Sequence, residues 1–115
     1  MDGGGLKALW KYRMFIDDLR EPPDGSWIIA RTSSDALEYM RSHGCPMEIS
    51  FDHDLGGDDI AMRVVKRMVE IDLSAGGKFI PADFVFFVHS ANPVGARNIE
   101  SYLNCYLAQR LGCGS

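Results

Sequence analysis

Three short apolar runs in this chain each break off in a cluster of polar residues, and that recurrence restricts the fold more than any other feature. Ile49-Ser50-Phe51 runs into Asp52-His53-Asp54 and then turns at Gly56-Gly57. Met14-Phe15-Ile16 runs into Asp17-Asp18, and Phe84-Val85-Phe86-Phe87-Val88 runs into His89-Ser90-Ala91-Asn92. Near-continuous apolar runs are what strands buried on both faces of a parallel sheet look like. In an open α/β sheet, ligands bind in the crevice outside the carboxyl ends of the strands. Three such endings around one crevice would assemble carboxylates, imidazoles, a hydroxyl and an amide in a single place.

The segments between the runs predict the remaining elements. Arg20 to Gly25, with Pro22-Pro23 and Asp24-Gly25, is turn chemistry. Trp27 to Ala30 reads as a second strand. Thr32, Ser33, Ser34 and Asp35 offer N-caps to a helix carrying Ala36, Leu37 and Met40, with Glu38 placed to close a capping box and His43-Gly44 as its stop. Asp58-Asp59 is expected to open the next helix, with Ile60, Met62, Val64, Val65, Met68, Val69 and Leu73 as its apolar side. Pro93 suits the first turn of a last helix, expected from about Val94 to Leu111. Loop lengths then fix direction. Only Gly44-Cys45-Pro46 separates the first helix from the strand at 47–51, so the second strand must end where the first ends, parallel to it. The return from the first strand to the second runs without a helix, which is short for a parallel crossover.

The 115 residues fit one domain. A net charge of −4 with no dense basic tract disfavours bulk nucleic-acid binding. Cys45, Cys105 and Cys113 are odd in number and lack metal-ligand spacing, which points to reduced thiols and a cytoplasmic location. No apolar run approaches the roughly twenty residues of a membrane span. Residues 1–12 read as an N-terminal arm, 13–111 as the folded domain and 112–115 as a loose tail.

The order and content of these motifs resemble the receiver domain of response regulators. The acidic pair Asp17-Asp18, the phosphoacceptor-like Asp52 in Asp52-His53-Asp54-Leu55, and Ser90-Ala91 occupy the three places that such domains use. Ser34-Asp35-Ala36-Leu37 is also similar to the receiver helix after the second strand. Gly56 stands where receivers carry proline. The helix between the first two strands and the fifth strand with its lysine are missing. The combination of Asp-Asp-x-Arg-x-Pro at 17–22, Asp-His-Asp-Leu-Gly at 52–56 and His-Ser-Ala-Asn-Pro at 89–93 resembles the receiver-derived cyclic-phosphate processing family. That resemblance implies a compact three-layer, flavodoxin-like α/β fold with a mainly parallel four-stranded sheet in the order 2-1-3-4. It also implies work on phosphate esters, with cyclic phosphates of nucleotides or RNA ends as the substrate.

The residues supply chemistry to match. Asp17, Asp18 and Asp52 are hard oxygen ligands suited to Mg²⁺ or Mn²⁺. Asp52 is expected to act either as a nucleophile toward phosphorus or as a metal ligand, and Asp54 as an acid or base. His89 and His53 are the candidate general acids and bases, because an imidazole titrates near neutral pH. Ser90 and Asn92, beside the start of the last helix, and Arg20, after the acidic pair, are the candidate phosphate contacts, with Arg97 a further one. His43 reads as a helix-end residue. The expected partner is a small phosphorylated or cyclic-nucleotide substrate, with no membrane. Two other readings compete: a signalling receiver phosphorylated on Asp52, and a non-catalytic module that binds a nucleotide or a protein at the same crevice.

Overall fold

The structure, a computed structural model, describes residues 11–114, and side chains through Arg110. Four strands, β1 (Arg13–Ile16), β2 (Trp27–Ala30), β3 (Glu48–Phe51) and β4 (Val85–Val88), form one sheet in the order β2-β1-β3-β4. Every pairing is parallel. Three helices, α1 (Ser33–His43), α2 (Met62–Ser74) and α3 (Pro93–Gly114), follow β2, β3 and β4. This is a compact receiver-like α/β fold, with the expected strand order and without the first helix or fifth strand. Among the described residues no helix is long and apolar enough to cross a membrane. The expected arm at 1–12 lies outside the described residues up to Trp10. Of the rest, Tyr12 is buried, packs on the ring of Tyr39 and donates to the carbonyl of Gly44.

Which face of the sheet is buried follows from register. In parallel pairing, partner residues point the same way, so Met14, Ile28, Ile49 and Phe86 share a face with Ile16, Ala30, Phe51 and Val88. These residues form one core with Ala36 and Met40 of α1, Val64, Val65 and Met68 of α2, and Ile99 and Leu103 of α3. The crossovers from β2 to β3 and from β3 to β4 move in the same direction across the sheet, and right-handed connections therefore put both helices on one side. The return from β1 to β2 moves the other way and contains no helix. The opposite face, carrying Arg13, Phe15, Trp27, Ile29, Ser50 and Phe87, thus has no helix over it among the described residues. The described residues thus form two of the three expected layers, the sheet and the helices on its core face.

Local signals explain most element ends. Thr32 caps α1 by accepting from the amide of Asp35 at 3.0 Å. Gly44, at φ +85°, closes that helix by donating to the carbonyl of Met40. Glu38 does not close a capping box; it pairs with Arg41 at 2.7 Å, because the cap at Thr32 makes Asp35 the third helical residue. The start of α2 also differs from expectation. The helix begins at Met62, and Asp59 instead reaches across to α1, accepting from the amide and hydroxyl of Ser33. Asp59 thereby satisfies a helix N-terminus in another element. The apolar stripe of α2 carries one further surprise: Leu73 is exposed and Asp72 is fully buried. Helical spacing places Asp72 in line with Val65, Met68 and Val69, so the period is regular and the residue type is the exception.

Candidate active site

The site is built at the carboxyl ends of β1, β3 and β4. Asp17 follows β1 directly and is buried. Its Oδ1 accepts from the amides of Leu19 at 2.9 Å and Arg20 at 2.8 Å, which folds the chain into a tight turn as it leaves the sheet. Its Oδ2 takes the Nε2 of His89 at 2.8 Å. Burial alone would raise the pKa of Asp17, but the two amides and His89 outweigh it and hold the carboxyl below its ordinary value.

Asp52 follows β3, its amide tied to the carbonyl of Ile16 at 2.8 Å, so β1 fixes its position. Its pKa moves the opposite way. Burial and then the neighbouring charge of Asp17 raise it, against weaker opposition from His89, the Ser90 hydroxyl and Arg20. Asp18 completes the group. One donor atom from each of Asp17, Asp18 and Asp52 lies within 4.8 Å of the others. Gly56, at φ +95°, borders Asp18, and a Cβ there would stand 3.4 Å from its Oδ2. The left-handed backbone requires glycine at this turn.

His89 begins where β4 ends, and its amide donates to the carbonyl of Phe51 at 2.8 Å. Its ring lies flat on Phe15, with centroids 4.6 Å apart, and its Nδ1 meets the hydroxyl of Ser50 at 2.7 Å. Both ring nitrogens are thus engaged. Facing an ionised Asp17, Nε2 carries a proton, and Ser50 fixes the ring from the other side. Ser50 was not among the residues singled out from the sequence, although a lone hydroxyl in an otherwise apolar strand was a usable signal.

Arg20 donates to the carbonyl of His89 at 2.9 Å, bringing its guanidinium to the crevice. Arg31 holds the same loop, donating to the carbonyls of Arg20 at 2.7 Å and Asp17 at 3.2 Å and pairing with Glu21 at 2.6 Å. Nothing in the spacing of Arg31 marked it for this task. Ser90 accepts from the amide of Asn92 at 3.0 Å, and Asn92 caps α3 by accepting from the amide of Gly95 at 3.0 Å.

The loop after Asp52 carries the other pair. The Nδ1 of His53 lies 3.1 Å from Asp54 Oδ1, and Asn92 donates to Asp54 Oδ2 at 3.4 Å. This loop is closed by pairing of Asp54 with Ile60 and by the amide of Ala61 on the carbonyl of His53. The His53 ring rests against the first turn of α3, where a Cβ on Gly95 would lie 2.4 Å from it. Glycine at 95 therefore leaves the space that the imidazole fills. The structure brings together Asp17, Asp18, Asp52, His89, Ser90 and Arg20, with His53, Asp54 and Asn92 along the adjoining rim. His43 stands elsewhere, bonded to the carbonyl of Tyr39 within α1.

A family model described as the cyclic-phosphate processing receiver domain matches residues 12–105. The chain belongs to that family. The match spans all four strands and every carboxylate of the site. No curated protein and no solved structure matches the chain.

Proposed function

We propose that this member of the cyclic-phosphate processing receiver family hydrolyses phosphate esters with a divalent cation, and that cyclic phosphates of nucleotides or RNA ends are its substrates. The observation that carries this reading is the close approach of the Asp17, Asp18 and Asp52 donor atoms, all within 4.8 Å of one another. Carboxylates gathered so closely repel, and the charge of Asp17 adds to burial, the larger cause, in raising the pKa of Asp52. Hard oxygen donors of this kind fit Mg²⁺ or Mn²⁺. Bound there, the cation supplies Lewis acidity and offsets the negative charge that would otherwise reject a phosphate.

The chain's own groups have distinct tasks in this reading. His89, held by Ser50 and stacked on Phe15, orients Asp17. Arg20, Ser90 and the amide-rich start of α3 receive phosphoryl oxygens. His53, with Nδ1 set by Asp54, offers Nε2 for proton transfer at the rim. In the reaction, a water oxygen bonds to phosphorus and one of the two ester P–O bonds breaks. The water's proton is passed to the departing sugar oxygen, leaving a monoester.

Phosphorus NMR tests this directly. Incubation of 2′,3′-cyclic and 3′,5′-cyclic nucleotides with Mg²⁺ or Mn²⁺ is expected to produce a monoester resonance that is absent in chelator and in Asp52→Asn. Unchanged spectra for both isomers in both metals would sink the proposal.

A further inference from the structure

Gly95 lies buried in the first turn of α3, yet nothing in the helix itself asks for glycine there. Its φ is not positive, unlike those of Gly44, Gly56, Gly57, Gly76 and Gly77, so the backbone suits alanine as well as glycine. Alanine is also the better helix former. What glycine supplies is room. A Cβ at this position would stand 2.7 Å from Nδ1 of His53 and closer still to Cγ and Cδ2. Cγ is the root of the ring, so tilting the imidazole does not relieve the clash. The whole side chain would have to turn about χ1 and leave.

The ring is held from other directions too. The carbonyl of His53 accepts from the amide of Ala61, which fixes its backbone. Its Nδ1 lies 3.1 Å from Asp54 Oδ1, and Asp54 Oδ2 accepts from Asn92 at 3.4 Å. Asn92 in turn accepts from the amide of Gly95 at 3.0 Å. These contacts close a circuit from Gly95 through Asn92 and Asp54 to His53, and packing returns it to Gly95. The His53 side chain is only 14% exposed, and its Nε2 has no hydrogen-bond partner among the described residues. We infer that Gly95 is a positioning residue: the side chain it lacks sets His53 at the rim of the acidic crevice, with Nε2 left for a substrate. The chemistry so served is the proposed phosphoesterase reaction, whereas the geometry stands on packing alone. One helix turn then sets both the phosphate contacts at Ser90 and Asn92 and the imidazole beside them.

A double-mutant cycle of the full chain tests this. Gly95→Ala is expected to lower the unfolding midpoint by several degrees, because the ring is displaced. In a His53→Ala background, where the ring is gone, the same substitution is expected to raise the midpoint. Each single variant is expected to lose about tenfold or more in kcat on cyclic nucleotides, with KM changed less than about twofold. The double variant is expected to lose no more than His53→Ala alone. In long-range proton–nitrogen NMR spectra, the His53 ring signals are expected to move in Gly95→Ala. Three results would overturn the inference: parental ring signals in Gly95→Ala, a midpoint lowered by Gly95→Ala even without the imidazole, or kcat losses that multiply in the double variant. A parent chain with no turnover would remove the proposed reaction, and the midpoints and ring signals would still decide whether Gly95 places His53.

Discussion

Two carboxylate centres stand at opposite ends of the helix–sheet unit, and they are treated in contrary ways. Asp72, in the last turn of α2, is fully buried. It accepts from the amides of Phe79 at 2.9 Å and Ile80 at 2.8 Å, from Tyr106 at 2.6 Å and from Arg110 at 3.0 Å. Burial opposes its charge, yet these donors win and its pKa is lowered. Tyr106 is pushed up to about 12, first by burial and then by its bond to this carboxylate. Asp52 is less buried, yet burial and then the charge of Asp17 outweigh His89, Ser90 and Arg20, and its pKa is raised. The chain satisfies Asp72 completely and leaves Asp52 in want of positive charge. A carboxylate saturated by its own chain serves the fold; one left short of donors is set for something brought from outside.

The largest test of this contrast is Asp72→Ala. Removing one partner of a buried ion pair costs about 3–5 kcal/mol, so urea denaturation is expected to show a loss of that size, with Arg110 left unpaired. The second test adds the missing charge. Mg²⁺ or Mn²⁺ at a hundredfold excess over its Kd is expected to stabilise the chain by about 2.7 kcal/mol in thermal unfolding. The same addition is expected to do nothing for Asp52→Asn. A smaller effect belongs to Ser50→Ala, which removes one bond to His89; a loss of about 1 kcal/mol is expected. Proton-detected NMR of the imidazole would show whether the ring then loosens.

The finest test is one of sign. In chelator, the lowered pKa values of Asp72 and Asp17 give stability that is full above the unfolded value of 3.8 and is lost as pH falls through the folded values beneath it. Asp52 works in reverse. Its folded pKa lies above 3.8, so its ionised form costs stability at neutral pH and that cost vanishes on acidification toward 3.8. Asp52→Asn is therefore expected to be more stable than the parent at pH 7 and to converge with it near pH 4. Parallel stability curves for the two would show that the two carboxylate centres do not differ as described.

Much of the fold was legible because short-range chemistry wrote it. The apolar runs, the Thr32 cap, Gly44 and the three-residue link at 44–46 each follow from local rules, and together they require a parallel sheet. The acidic residues of the candidate site were legible for the same reason, since each ends a strand. What escaped was carried by distance along the chain. Asp72 meets Tyr106 and Arg110 across 34 and 38 residues, and no local pattern announces such a pairing. Asp59 looked like a helix start and became a cap for α1, 26 residues earlier, because the loop at 53–61 folds back first. Gly95 is informative only once the imidazole of His53 beside it has been placed, and the task of Ser50, though its lone hydroxyl stands out in the strand, only once His89 has been.

The double engagement of Asp17 has a consequence for what this chain can become. One oxygen shapes the turn through two amides, and the other lies toward His89 and the acidic cluster. Asparagine would keep the turn and forfeit the charge; glutamate would keep the charge, but its longer arm would not reach the amides in the same way. No single replacement inherits both duties. Drift at this position has nowhere to go, so a descendant that abandons the chemistry is expected to reveal it first at Asp18 or Asp52, with Asp17 kept for the architecture alone.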